Sequence, residues 1–186
     1  MCKNKKKCEE MKVIIGIGNP EHAYGNTYHN IGKVAVDMLA EKLNVKFGTE
    51  NSKYVMGKIK LNSQDFVLAK SQVYMNLSGD AVLAICTKLR ISPKDVIIVT
   101  DDIDTPRGKW RFRVNGSGGT HNGLKNIVEK IGTEFCRLKI GTQKNSDIPL
   151  EQYVVSKIDS QTQAELCGVI NDAWTNIFKQ QFKINI

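Results

Sequence analysis

Short apolar runs alternate along this chain of 186 residues with stretches whose apolar positions recur at helical spacing. Residues 12–18 (KVIIGIG) and 96–102 (VIIVTDD) are continuous and rich in β-branched side chains, which favours strands buried on both faces. Residues 54–61 and 66–70 predict two further strands, joined by NSQD, a composition typical of hairpin turns. Residues 136–141 (CRLKIG) predict one more strand.

Amphipathic helices are predicted between and after these strands. The first has its apolar face at positions 34, 35, 38, 39 and 43, and the second at 81, 84, 85 and 89. A third follows a glycine-rich turn from residue 121, and a fourth closes the chain near residues 161–182. This alternation predicts a single three-layer α/β domain with a mixed, centrally parallel twisted sheet flanked by helices. We assign residues 12–186 to this domain and residues 1–11 to a flexible basic arm.

Cations and apolar side chains alternate in residues 109–114 (KWRFRV). Because alternate residues of a strand share a face, Lys109, Arg111 and Arg113 are expected on one side and an apolar strip on the other. The whole chain carries 27 Lys and Arg against 19 Asp and Glu, a formal net charge of +8. Composition alone is compatible with a solvated basic surface, but the alternation favours contact with a polyanion.

Composition also excludes several classes of protein. With 41% hydrophobic and 25% charged residues the chain is globular, and it contains no long uncharged apolar run that would indicate a membrane span. The five cysteines are scattered and odd in number, which disfavours a disulfide framework. The N-terminal sequence is basic but has no apolar core of a secretory signal. We therefore expect a reduced, cytoplasmic protein without a membrane contact.

Three loops carry residues that a hydrophobic core does not need. The loops after Gly18 and after Thr100 both follow predicted parallel strands, so we expect them to face one crevice. The candidate residues of the three loops are Asn19, Tyr24, His29 and Asn30, then Tyr74, Met75 and Asn76, then Asp101, Asp102, Asp104, His121 and Asn122.

Nucleotide and metal sites are disfavoured by the motifs. GIGNP lacks the third glycine of a dinucleotide fingerprint and has Pro20 where a helix should start. NGSGGT lacks the GK[ST] ending of a phosphate-binding P-loop. The three histidines form no HxH or HxxxH pair, so a metal site is conceivable but not favoured. We expect neither a metal nor a cofactor.

A hydrolytic site fits these residues better. Histidine transfers protons near neutral pH, and an aspartate bonded to one ring nitrogen fixes the tautomer. Since the sequence has no GxSxG elbow and no cysteine beside a histidine, the nucleophile is expected to be water. Asn19, Asn76 and Asn122 stand at element boundaries, where asparagine is often only a cap or turn residue. The same amides could equally hold a substrate carbonyl and a water.

Four motifs between residues 12 and 141 resemble, in order and spacing, those of bacterial-type peptidyl-tRNA hydrolases. They are GIGNP followed by Tyr24 and HNIG, then YMNLSG, then DDIDTPxG, then GxGGxHNGLK. The resemblance implies an enzyme that cleaves the ester between a peptide, or an N-blocked amino acid, and the 3′ end of tRNA. Such an enzyme recycles tRNA from prematurely released peptidyl-tRNA, and the family resemblance implies a monomer.

The resemblance also implies roles for individual residues. His29 matches the general base that activates water, Asp101 the acid that orients it, and Asn19 the position that recognises the blocked substrate. Asp102 and Asp104 are neighbours of that acid and not its equivalents. Binding of substrate, including the phosphates of the tRNA acceptor stem, is expected from Tyr24, Tyr74, Met75, Asn76, Asn122, Lys109, Arg111 and Arg113.

The chain departs from the family pattern near these motifs, where Asn115, Ser117 and Thr120 also thin the glycine cluster. Glu21 stands where glycine is usual, Tyr28 where arginine is usual, and Lys139 where arginine is common. The alternative function is that of a non-catalytic RNA-binding relative, as a chloroplast splicing factor is similar to this family. Retention of His29 together with Asp101 favours the enzyme, because a protein that only binds RNA needs no base and acid pair.

Overall fold

The structure is a computed structural model, and it describes residues 11–186. The arm predicted for residues 1–11 therefore lies, apart from Met11, outside the described residues. The strands are β1 (Lys12–Gly16), β2 (Gly48–Asn51), β3 (Tyr54–Leu61), β4 (Gln64–Ser71), β5 (Val96–Asp102), β6 (Trp110–Arg113) and β7 (Cys136–Gly141). The α-helices are α1 (Glu21–Tyr24), α2 (Ile31–Lys42), α3 (Ser78–Leu89), α4 (Asn122–Ile131), α5 (Leu150–Tyr153) and α6 (Ser160–Ile177).

The strands form one seven-stranded sheet in the order β2-β3-β4-β1-β5-β7-β6. The four central strands, β4, β1, β5 and β7, run parallel. The outer strands β3, β2 and β6 pair antiparallel at the two edges. The predicted mixed, centrally parallel sheet is therefore confirmed.

Helices cover both faces of the sheet. On one face α2 and α6 pack together, and the indole Nε1 of Trp174 donates a hydrogen bond to the Ala35 carbonyl at 2.8 Å. On the other face α3 and α4 cover a second core that includes Ile15, Val82 and Ile127. The predicted three layers are confirmed. Among the described helices, none is both long and apolar enough to cross a bilayer.

Local structure follows the sequence pattern with a few differences. The β3–β4 hairpin turns at Asn62 and Ser63, both with positive φ, as a tight turn between twisted strands requires. Strand β2 was not predicted, because GTEN has no apolar alternation and forms only an edge pairing with β3. The closing helix is α-helical only to Ile177 and ends in a π-helical turn, Phe178–Phe182.

The first turn of α2 lies unusually close to the sheet. A Cβ on Gly32 would stand 2.2 Å from the Val99 carbonyl oxygen of β5, and one on Gly16 would stand 2.4 Å from the Gly32 oxygen. Real side chains do not tolerate such distances, so both positions require glycine. The consequence is that the residues just before α2 lie directly above the carboxyl end of β5.

Replacing Gly32 by alanine should therefore destabilise the protein by about 1–3 kcal/mol or more, the range for overpacking a filled space. The matched control is Gly168→Ala in α6, where an added Cβ meets no atom within 4 Å. That substitution should raise stability by up to about 1 kcal/mol, since alanine favours helix over glycine. Urea unfolding followed by circular dichroism measures both. Equal effects of the two substitutions would show that close approach at Gly32 does not constrain the fold.

Candidate active site

The site is built around the carboxylate of Asp101 at the end of β5. Asp101 is buried, with 1% of its surface exposed. Its oxygens lie 3.0 and 3.1 Å from Nδ1 of His29 and 3.0 Å from Nε2 of His121. His29 comes from the side of the sheet covered by α2, and His121 from the side covered by α4. Two histidines thus reach one buried carboxylate from opposite layers.

Each histidine is held by a second hydrogen bond besides those to Asp101. His29 lies in a 3-10 turn, Tyr28–Asn30, that leads into α2, and its N–H donates to the Val154 carbonyl at 2.8 Å. His121 is the N-cap of α4, where its Nδ1 accepts a hydrogen bond from the Leu124 N–H at 3.2 Å. The rings lie 5.1 Å apart between centroids. The two imidazoles are therefore fixed in place before any substrate arrives.

The hydrogen bonds define a tautomer for His121. Because Nδ1 accepts from a backbone N–H, the proton of the neutral ring must be on Nε2. That proton faces Asp101 Oδ1 and the hydroxyl of Thr100, which is 2.8 Å from Nε2. The Thr100 hydroxyl in turn donates to Asp101 Oδ1 at 3.3 Å. His121 is therefore a donor to the carboxylate.

His29 has the opposite tautomer to His121. Nδ1 faces an ionised carboxylate, so it carries the proton and leaves the lone pair on Nε2. Within the described part of the chain, no group forms a hydrogen bond to that Nε2. His29 lines a cleft of about 430 Å³ with His121, Asn122 and Arg113. Its free ring nitrogen can therefore accept a proton from a molecule in the cleft.

Electrostatics keeps Asp101 ionised. Burial by itself would raise the pKa of this carboxyl group. The charges of His29 and His121 when protonated, and their hydrogen bonds, outweigh burial and hold the pKa well below its ordinary value. Asp101 is thus a hydrogen-bond acceptor throughout the neutral pH range.

The same three side chains place their ligand atoms within 4.8 Å of one another, as a metal site would. The tautomer of His121 argues against that use, because an Nε2 that carries a proton offers no lone pair to a cation. Only His29 and Asp101 would remain as ligands, which is fewer than stable sites for transition metals use. The donor set therefore fits a network of hydrogen bonds and not a metal centre.

Hydrogen bonds hold both the backbone and the side chain of Asn19. The side chain of Asn30 binds the backbone of Asn19: its Oδ1 accepts from the Asn19 N–H at 2.7 Å, and its Nδ2 donates to the Asn19 carbonyl at 3.1 Å. The Asn19 side-chain Oδ1 accepts from the Met75 N–H at 2.8 Å. The structure thus joins the first predicted loop to the second, and it leaves the Nδ2 amide of Asn19 as its remaining donor.

The other predicted binding residues differ in exposure. Tyr74, Asn76 and Asn122 are exposed, Asn122 as the first residue of α4, and Tyr24 is half-buried at the end of α1. Met75 is buried, and its sulfur would meet a Cβ on Gly123 at 2.5 Å. What Met75 offers to the site is therefore its backbone N–H, while its side chain belongs to the core.

The predicted alternation of cations is confirmed for Arg111 and Arg113 on β6, whereas Lys109 lies outside the strand. Arg111 pairs with Lys139 across the strands and Arg113 with Arg137, so all four lie on one face of the sheet. Trp110 and Phe112 pack on the opposite face. Lys109 is exposed just before the first residue of β6.

Asp102, Asp104 and Arg137 line the cleft beside this face. Asp102 is buried and bonded to Lys139 at 2.9 Å, whereas Asp104 is exposed, so neither contacts His29. The buried guanidinium of Arg137 donates to the carbonyls of Phe135 and Gly116. Arg137 thereby anchors the glycine-rich turn that leads to His121.

Sequence patterns left several of these residues without a role. His121 was recognised only as a neighbour of the acid cluster, and nothing in the spacing shows that it shares Asp101 with His29. Asn30 and Arg137 act on backbone atoms, which a sequence motif does not display. The HNIG motif could have indicated Asn30, because it places an amide directly after the catalytic candidate.

An acid-oriented histidine beside fixed amides, at the carboxyl end of a parallel sheet, is an arrangement that can catalyse hydrolysis. The family model for peptidyl-tRNA hydrolase matches residues 13–183. The peptidyl-tRNA hydrolase of Chloroflexus aurantiacus is 39% identical over 176 residues, covering 91% of this chain and 94% of that protein. The crystal structure of peptidyl-tRNA hydrolase from Acinetobacter baumannii superposes with a TM-score of 0.84 at 30% identity, covering 92% of this chain and 88% of that one. The chain belongs to the peptidyl-tRNA hydrolase family.

The buried carboxylate predicts a pH-dependent difference in stability between the wild type and Asp101→Asn. Because the folded pKa of Asp101 is lowered, its contribution is complete above the unfolded pKa of about 3.9 and is lost as pH falls towards the folded pKa. The variant should be less stable by roughly 1.5–3 kcal/mol at about pH 6, with a smaller gap at about pH 3. Urea unfolding across this pH range measures the gap.

The control for this comparison is Asp104→Asn, which removes an exposed carboxylate from the turn that follows β5. It should change stability by less than about 0.5 kcal/mol at any pH. A gap for Asp101→Asn that stays constant with pH would mean that the carboxylate is not selectively stabilised in the folded state.

Proposed function

We propose that this protein hydrolyses the ester that joins a peptide, or an N-blocked amino acid, to the 3′ end of tRNA, with His29 as the general base. The observation that carries the role of His29 is its geometry. Nδ1 is bonded to the buried carboxylate of Asp101, and Nε2 is left for the cleft. Membership of the peptidyl-tRNA hydrolase family supports the substrate class.

In the proposed mechanism, a water molecule between His29 and the ester is the nucleophile. His29 Nε2 takes a proton from the water while the water oxygen attacks the ester carbonyl carbon. The bond from that carbon to the 3′ oxygen of the tRNA then breaks, and the imidazolium returns the proton to the leaving oxygen. Asp101 stabilises the imidazolium that forms between the two steps and keeps the ring in the productive tautomer.

The predicted amides would bind the acyl group; of Asn19, Asn76 and Asn122, only Asn122 is among the residues that line the cleft. Asn19 presents a fixed Nδ2 donor, which suits a carbonyl oxygen of a peptide or of an acyl-blocked amino terminus. Asn76 and Asn122 are exposed and supply further amides, and Tyr24 and Tyr74 supply aromatic surface. Groups held in place before binding lower the barrier because they need no reorganisation during the reaction.

The cationic face of β6 and β7 would bind the tRNA. Arg111 and Arg113 are exposed on it, with Lys109 nearby, and Arg113 also lines the cleft. Phosphates of the acceptor stem would then lie beside the strand while the 3′ end enters the cleft. One chain supplies His29, Asp101 and His121, which supports a monomer. We also propose that it acts in the cytoplasm, because its five scattered cysteines disfavour a disulfide framework.

The decisive experiment is incubation of the purified protein with N-acetyl-aminoacyl-tRNA. The wild type should release the N-acetyl-amino acid, and His29→Ala should lower kcat by about 10²–10⁴-fold, the usual contribution of a general base. Its tRNA affinity, measured by filter binding, should change little. If the wild type binds tRNA without deacylating it, the chain is a tRNA-binding protein only. Turnover by His29→Ala at the rate of the wild type would remove His29 from its role.

The cationic face makes a separate prediction about binding. Replacing Arg111 and Arg113 by glutamine should weaken tRNA binding and lower the slope of log Kd against log salt by about 1 for each phosphate that the variant no longer neutralises. The matched control is the double variant Lys58→Gln and Lys60→Gln, which removes two exposed charges from β3. Equal slopes for the wild type and the arginine variant would show that this face does not contact phosphates.

A further inference from the structure

Lys33 is a buried lysine that the proposed mechanism does not use. It lies in the first turns of α2 with 3% of its surface exposed. Its ammonium group donates to the Asn19 carbonyl at 3.1 Å and lies 3.3 Å from Oε1 of Glu21. A buried ammonium is costly unless specific partners compensate it, so these two contacts explain how the charge is tolerated.

The path of the side chain makes the contact with Asn19 specific. A Cβ on Gly18 would stand 2.7 Å from Cδ of Lys33 and 2.7 Å from Oδ1 of Asn30. Lys33 and Asn30 therefore pass directly beneath the backbone of Gly18 and Asn19. A bulkier residue at position 18 would displace both.

Three groups converge on Asn19 as a result. Its carbonyl oxygen accepts from both Asn30 Nδ2 and Lys33 Nζ, and its Oδ1 accepts from the Met75 N–H. Within residues 11–186, its Nδ2 amide has no hydrogen-bond partner. The Met75 N–H thus sets the rotation of the Asn19 side chain, while Asn30 and Lys33 hold the backbone from which that side chain projects.

Charges around Lys33 are balanced by a short chain of ion pairs. Glu21 lies between Lys33 and Lys70, 3.2 Å from the latter, and Lys70 also pairs with Asp37 at 2.8 Å. Burial lowers the pKa of Lys33, and the neighbouring Glu21 carboxylate opposes that shift. Lys70 shares the acid Glu21 with Lys33 but does not contact Asn19, which makes it a natural control.

We propose that Lys33, with Glu21 as its counter-ion, is a positioning residue that sets the orientation of Asn19 and thereby the preference for N-blocked over free aminoacyl-tRNA. This inference rests on the proposed function, because it assigns Asn19 to the acyl end of the substrate. Lys33 does not touch the substrate. It acts by holding the Asn19 carbonyl, so that the Nδ2 amide meets the carbonyl group of a blocked amino terminus.

The test compares Lys33→Met with Lys70→Met. Methionine is similar in length to lysine but has no donor and no charge. With N-acetyl-aminoacyl-tRNA, Lys33→Met should raise KM by roughly tenfold, the effect of losing a charge-assisted hydrogen bond, with little change in kcat. Its preference for N-acetylated over free aminoacyl-tRNA should fall by a similar factor. Lys70→Met should keep the KM and the preference of the wild type.

The outcomes separate this inference from the proposed function. A wild type without deacylase activity contradicts the proposed function itself. An active wild type with an unchanged KM and preference in Lys33→Met overturns the inference. So does a fall in kcat with KM unchanged, which would indicate a general structural defect. If Lys33→Met does not fold, Glu21→Gln decides, since weakening the counter-ion should raise KM by a few-fold and an unchanged KM overturns the inference.

Discussion

An ionised carboxylate buried at the end of a parallel sheet is unfavourable unless several donors reach it, and Asp101 is such a group. Its donors come from both helical layers, His29 from the segment before α2 and His121 from the N-terminus of α4. The hydrogen bonds to Asp101 therefore connect both helical layers to the carboxyl end of β5. They also require opposite tautomers of the two rings, so that His29 presents a lone pair to the cleft while His121 stabilises the carboxylate.

The positions of His29, the proposed base, and Asn19, the proposed substrate-binding amide, depend on one another. His29 and Asn30 are consecutive in one 3-10 turn, and the first bonds to Asp101 while the second grips the backbone of Asn19. That turn reaches both partners because Gly32 lets α2 approach the Val99 carbonyl. A shift of the turn would therefore displace His29 and Asn19 together.

Much of the fold could be predicted from the sequence, because buried parallel strands and amphipathic helices leave strong periodic signals. The alternation of Arg111 and Arg113 with Trp110 and Phe112 predicted the cationic face correctly. The edge strand β2 left no such signal. The partners of Asn19 could not be predicted either, since Asn30 and Lys33 bind its backbone carbonyl, an atom that every residue possesses. Buried charges such as Lys33 are recognisable only once their surroundings are known.

Asp101 holds His29 with its proton on Nδ1 and its lone pair on Nε2. Nitrogen-15 NMR of the imidazole side chains distinguishes the two tautomers at a pH where both rings are neutral. The structure predicts the Nδ1–H tautomer for His29 and the Nε2–H tautomer for His121, with His29 losing its preference in Asp101→Asn. A His29 ring protonated on Nε2 in the wild type would contradict this assignment, because Nε2 would then have no lone pair to accept a proton.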